Sequence, residues 1–267
     1  MDKTLFLLDE GISGYLNSCN EKIQSYQLIA KIGLPVLKSV ILSDKELKEF
    51  GENEKCIIIN YLKSKQCMLR YLYRNAKHHI KNGGKIVNIS KESLLEEREE
   101  GADFWLLEPI RREENILSCN ISLDRQAENL HLEFLGEGFD ISDINKGIVS
   151  PHEQIDVPFP ICYGAYGEWW KWAQFRFCTE EMYKKSIDIR KDRLKKFGID
   201  YAVTFAPCYT AADRDTIESL LEWIARIEGY WIGDKPTFYN LSCSFQKNGR
   251  KICWDIQTPN GKIRAYI

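Results

Sequence analysis

Strand-like runs alternate with short capped helices over the first 110 residues, and hairpin signals dominate later; this order constrains the fold more than composition does. Asn20 is placed to cap a helix carrying Ile23, Leu28 and Ile29, which Gly33 and Pro35 stop. A β-branched segment at 36–42 follows, and Ser43 with Glu46 forms a capping box for a short helix that Gly51 ends. Residues 56–62, 67–73 and 85–89 read as strands, and Ser90 opens an acidic helix over 91–100. Three further strands are expected at 104–110, 116–123 and 130–135, the last two joined as a hairpin.

Residues 136–160, rich in Gly, Asp, Pro and Ser, are expected to form a long loop able to act as an active-site lid. Thr179 caps a helix with Glu180 and Glu181 in its first turn and Lys195 and Lys196 in its last, a charge order that opposes the macrodipole. Asp215 with Glu218 reads as another capping box, before a stripe of Ile217, Leu220, Leu221, Ile224 and Ile227 that Gly229 closes. Runs at 238–246 and 251–256 flank Asn248-Gly249, a hairpin turn signal. The predicted fold class is α+β, with an N-terminal lobe over 1–110 and a C-terminal lobe over 111–267.

The balance of 37 Lys+Arg against 39 Asp+Glu gives a net charge of -2, so no global field draws nucleic acid or an anionic membrane. Nine cysteines, none in a C-x-x-C pair, suit reduced thiols in a cytoplasm. The first apolar run meets Asp9 and Glu10 at once, too short for a signal peptide, and no stretch is long enough to span a membrane. A soluble cytoplasmic protein is expected.

Two groups of residues suggest chemistry. Lys38, Arg70 and Lys85 lie on or beside strands, and Gly83-Gly84 precedes Lys85; a glycine pair lets main-chain N–H groups approach phosphate, and the lysine neutralises its charge. A surface turn with a solvated lysine is the plainer reading of the same residues. In Cys253-Trp254-Asp255-Ile256-Gln257, strand alternation puts Asp255 and Gln257 on one face, an oxygen-bearing pair suited to Mg²⁺ carried with substrate phosphates. The alternative is an exposed strand face.

Taken with the element order, three stretches resemble the ATP-grasp family. Ile32-Gly33-Leu34-Pro35-Val36-Leu37-Lys38 is similar to the opening of its nucleotide-binding lobe. Trp105-Leu106-Leu107-Glu108-Pro109-Ile110, followed by Ser118-Cys119-Asn120-Ile121, resembles its hinge strand and the strand after it, and Trp254-Asp255-Ile256-Gln257 resembles its closing Glu-x-Asn metal motif. The resemblance implies two α+β lobes with a nucleotide cleft between them, phosphate contacts from Lys38 and Lys85, an adenine hinge at Glu108 and Ile110, and Mg²⁺ on Asp255 and Gln257 of a terminal hairpin. The implied activity is an Mg-dependent carboxylate–amine ligase that uses ATP to form an acyl phosphate, with Arg70 or Arg125 clamping the acceptor carboxylate of a small molecule or peptide.

Two departures keep other readings open. No carboxylate occurs in Ser242-Cys243-Ser244, where a second acidic ligand would stand, and Asp-x-Gln replaces Glu-x-Asn. A small-molecule kinase, or a non-catalytic nucleotide- or RNA-binding regulatory protein, is therefore the alternative. His131 and Glu133 share a strand face as acid–base partners or as the wet side of a hairpin. Trp169, Trp170 and Trp172 are expected in the core, and the four histidines lack zinc-ligand spacing.

Overall fold

The computed structural model describes residues 6–7, 21–73, 84–110, 115–159, 169–195, 213–231 and 235–258. The chain is α+β and divides into two units, Met1–Arg111 with Cys253–Ile267, and Arg112–Ile252. The segment from Cys253 onward groups with the first unit.

In the first unit, β1 (Phe6–Leu7), β2 (Val40–Ser43), β5 (Phe104–Pro109), β3 (Gln66–Leu72) and β4 (Lys85–Asn88) form an antiparallel sheet in the order β1-β2-β5-β3-β4. Helices α2 (Asp44–Glu49), α3 (Glu52–Leu62) and α4 (Lys91–Glu96) cover one face through a core of Val40, Leu42, Leu47, Ile58, Leu69 and Leu107. The Ser43–Glu46 capping box forms, its side chains satisfying main-chain N–H groups that the helix start leaves open.

Residues 56–62 are helical, not a strand. Glu54 caps back onto the Gly51 N–H, and Ile58 and Leu62 bury one helix face, so tertiary burial overrides the β preference of the Cys56-Ile57-Ile58-Ile59 run. Helix α1 (Glu21–Lys31) is buried along most of its length; Asn20, its expected cap, lies outside the described residues. The expected strand at 36–42 begins only at Val40, preceded by an isolated bridge between Val36 and Cys253.

In the second unit, β6 (Asn115–Asp124), β7 (Asn129–Leu135), β8 (Glu153–Pro158), β9 (Gln174–Phe177) and β10 (Phe238–Gln246) follow the sheet order β10-β6-β7-β8-β9; the last described strand of the chain, β11, is Lys251–Gln257. Helix α7 (Arg214–Tyr230) packs on its apolar face, with Trp223 stacked on Phe245 at 6.0 Å. Asp213, not Asp215, caps α7, accepting from the Thr216 N–H at 2.8 Å. The helix continues past Gly229 to Tyr230. Helix α6 (Glu180–Lys195) begins after Thr179, whose Oγ1 accepts from the Met182 N–H.

Residues 136–159 are not a long loop. They contain the short helix α5 (Ser142–Asn145) and β8, paired with β7 and β9. Alternation in Glu153-Gln154-Ile155-Asp156-Val157 buries every second side chain, which builds a strand despite the surrounding Gly, Asp and Pro. Trp169 is buried as expected, but Trp170 and Trp172 are exposed, contrary to the expected core placement; Phe175 and Phe177 are exposed as well. Arg214 holds its guanidinium 4.4 Å from the Trp170 ring centre.

Candidate functional site

In antiparallel pairs, residues in register share a sheet face. Arg70 on β3 and Glu108 on β5 lie on the face opposite the helical core, since their neighbours Leu69 and Leu107 belong to that core. Arg70 Nε donates to Glu108 Oε2 at 2.6 Å, and the Tyr26 hydroxyl of α1 donates to Glu108 Oε1. Glu108 is fully buried, so both partners are needed to hold its charge out of water.

The network continues along α1. Lys22 is 8% exposed; its Nζ donates to the Trp254 carbonyl at 2.5 Å and lies 3.5 Å from Asp255 Oδ2. The ammonium also sits 4.8 Å from the Tyr26 ring centre and 5.5 Å from that of Trp254. Ser25 Oγ accepts from the Ile256 N–H at 2.6 Å, and Gln257 Nε2 donates to Asp255 Oδ2 at 2.8 Å. Within the first unit, Arg70, Glu108, Tyr26, Lys22, Asp255 and Gln257 therefore form one connected series.

Of the sequence-derived candidates, this brings together Arg70, Glu108, Asp255 and Gln257. Lys85 stands in register with Leu69, on the helical side of the sheet, and pairs with Glu97. Lys38 lies over the Tyr61 ring of α3 at 4.8 Å. Lys85 is therefore on the opposite side of the sheet from Arg70. Gly84 is explained by packing: a Cβ there would come within 2.5 Å of the Met68 side chain. Gly83 lies outside the described residues. Ile110 is half-buried just beyond β5. Arg125 belongs to the second unit, where it donates to the Pro236 carbonyl at 2.8 Å and pairs with Glu228.

Lys22, Ser25 and Tyr26 were missed in the sequence. Their signal is the spacing of positions 22, 25, 26 and 29, one helix face, but a lysine in that set reads as solvent-facing.

The residues expected to hold magnesium do not fit it. A hard divalent cation needs anionic and neutral oxygens aimed at one point. Here the Asp255 carboxylate is engaged by a buried ammonium, and the Gln257 amide turns a donor toward the same carboxylate. Among the described residues, no group of three His, Cys, Asp or Glu side chains is arranged to hold a metal ion. The described cysteines are free thiols, and burial first, then the Glu108 charge, pushes the Cys67 thiol up to about 12.

In the second unit the face opposite the apolar core carries two polar rows in register. One runs Ser242, Asn120, Glu133, Gln154, Arg176, and the other Asn240, Ser122, His131, Asp156, Gln174. His131 Nδ1 lies 2.7 Å from Asp156 Oδ1 and its Nε2 3.6 Å from Glu133 Oε1. Hydrogen bonding to Glu133 first, and then Asp156, holds the imidazole above its ordinary value, against the opposing effect of burial. Asn120 donates to Glu133 at 3.0 Å and Asn129 to Asp156 at 3.1 Å, fixing both carboxylates around the ring.

No protein-family model matches the chain, and no curated protein matches it. Solved structures do. A macrocyclase MdnC from Microcystis aeruginosa, bound to its precursor peptide MdnA, is 13% identical with a TM-score of 0.37, over 90% of this chain and 53% of that one. D-alanine–D-alanine ligase from Bacillus anthracis is 13% identical with a TM-score of 0.39, over 93% and 59%. A carboxyaminoimidazole ribonucleotide synthase from Aspergillus clavatus, complexed with ATP, is 9% identical with a TM-score of 0.38, over 89% and 44%. The chain spans about half the length of the structures it matches, and at TM-scores below 0.5 the likeness assigns it neither an activity nor a substrate. No helix among the described residues is long and apolar enough to cross a membrane.

Proposed function

We propose that the chain is an ATP-binding protein of ATP-grasp type whose first unit contributes the Arg70–Asp255 side of its sheet to nucleotide binding. The observation that carries this reading is the joining of the β3–β5 hinge region to the terminal Asp255–Gln257 pair through α1, since the resemblance assigns nucleotide contacts to both segments. The Glu108 carboxylate is committed to Arg70 and Tyr26, so a base at the end of β5 would meet main chain there. Carboxylate–amine ligation through an acyl phosphate is the activity the resemblance implies. In it, Arg70 would offer its guanidinium to a carboxylate or phosphate.

A second reading, a nucleotide binder without ligase chemistry, is favoured by one observation: Asp255 already has a buried ammonium beside it. Calorimetry and thermal shift of the full chain with ATP, ADP and GTP test the common part. Saturating ATP at about 100 times its dissociation constant is expected to add roughly 2.7 kcal/mol of stability, with Arg70→Ala weakening the effect. Absence of both heat and shift with all three nucleotides refutes it. ADP release dependent on an added carboxylate and amine then separates the ligase from the binder.

A further inference from the structure

Lysine is rarely buried unless paired, and the first turn of a helix is the least favourable place for a cation because the macrodipole is positive there. Lys22 is the second residue of α1 and is buried. Its ammonium is held by the Trp254 carbonyl, the Asp255 carboxylate and the faces of Tyr26 and Trp254. These contacts fix the side chain in the low-polarity space between α1 and β11, where the cation offsets Asp255 at short range. A divalent ion on Asp255 would have to approach this ammonium at close quarters in a poorly screened setting. The Gln257 amide, donating to the same oxygen, adds a further positive edge.

We infer that Lys22 is the built-in counter-cation of Asp255, closing that carboxylate to divalent metals, and that nucleotide binding by the first unit does not depend on a metal held by Asp255 and Gln257. The second clause rests on the nucleotide reading; the first stands on the ion pair alone.

The test has two arms on the full chain. Mn²⁺ alone is titrated by electron paramagnetic resonance into wild type, Asp255→Asn, Lys22→Arg and Lys22→Met. The inference expects the same Mn²⁺ isotherm for wild type, Asp255→Asn and Lys22→Arg, and roughly tenfold tighter binding for Lys22→Met, reversed by adding Asp255→Asn. A wild-type site tighter than about 1 mM that Asp255→Asn abolishes overturns it, and this comparison stands even if Lys22→Met does not fold. In the second arm, ATP is titrated calorimetrically in EDTA and in Mg²⁺. Affinities within about twofold support the inference, whereas binding seen only with Mg²⁺ and lost in Asp255→Asn overturns it. Absence of ATP binding in both buffers removes the nucleotide reading and the second clause with it, leaving the Mn²⁺ comparison to decide the first.

Discussion

Arg70 and Glu108 sit on neighbouring strands of one sheet, diagonal in register, with a 2.6 Å charge-assisted hydrogen bond between a guanidinium that still touches solvent and a carboxylate that does not. Removing the arginine takes the charged partner from a buried carboxylate that also accepts from the Tyr26 hydroxyl. Arg70→Met is expected to cost about 3 kcal/mol of unfolding free energy, and Tyr26→Phe about 1 kcal/mol. Arg70→Met combined with Glu108→Gln should recover part of the loss, because no uncompensated charge is left. Urea unfolding of wild type, the three single variants and the double variant checks this; additive effects of Arg70→Met and Glu108→Gln would show that the pair is not coupled.

His152 behaves as a latent acid-sensitive point in the second unit. Its Nδ1 accepts from the Gly136 N–H at 3.0 Å, and its ring meets Phe139 and Tyr183 edge-on at 5.0 and 4.8 Å. Burial pushes the imidazole down from 6.5 to about 4, so the folded chain keeps it neutral where the unfolded chain would protonate it. The resulting stabilisation is complete above pH 6.5 and drains away as pH falls toward 4, about 3 kcal/mol in all. Denaturant midpoints measured across this window should fall more steeply for wild type than for His152→Gln. Parallel slopes would refute the assignment.

The sequence revealed what depends on local rules. The Ser43–Glu46 box, the α7 stripe and the Asn248-Gly249 turn are each decided within a few residues, and they appear where expected. What it hid depends on which face a side chain takes. Lys85 and Arg70 look equivalent as cations on strands, but antiparallel register sends Lys85 to Glu97 among the helices and Arg70 to Glu108 on the other side. Strand β8 was concealed by its flanking turn residues, and Cys56-Ile57-Ile58-Ile59 reads as strand because β-branched side chains suit either buried state. Lys22 was the least legible: only its contacts with residues more than 230 positions away show why a lysine is buried there.

Two glycines with similar backbone angles separate conformational strain from crowding. Gly138 has φ +78°, and a Cβ there would fall 2.2 Å from the Arg190 guanidinium; Gly147 has φ +66° with nothing within 4 Å. Arg190 is buried, so its guanidinium has little room to retreat. Gly147→Ala should cost about 1 kcal/mol, the backbone penalty alone, whereas Gly138→Ala should cost roughly 2–4 kcal/mol once the displaced guanidinium is included. Chemical denaturation resolves the difference, and equal costs would mean that Arg190 moves aside freely.

On the polar face of the second unit, His131 has the opposite sign to His152. Hydrogen bonding to Glu133 is the larger cause of its raised affinity for a proton and Asp156 the smaller, so the folded state binds that proton more tightly than the unfolded chain does. The stabilisation is fully present below about pH 6.5 and fades as pH rises through the folded-state value. Glu133→Gln should therefore lower the His131 titration midpoint more than Asp156→Asn, even though Asp156 lies nearer, at 2.7 Å against 3.6 Å. The C2-proton resonance followed by NMR from pH 5 to 9 gives each midpoint directly. A larger drop for Asp156→Asn would show that the short contact governs the ring.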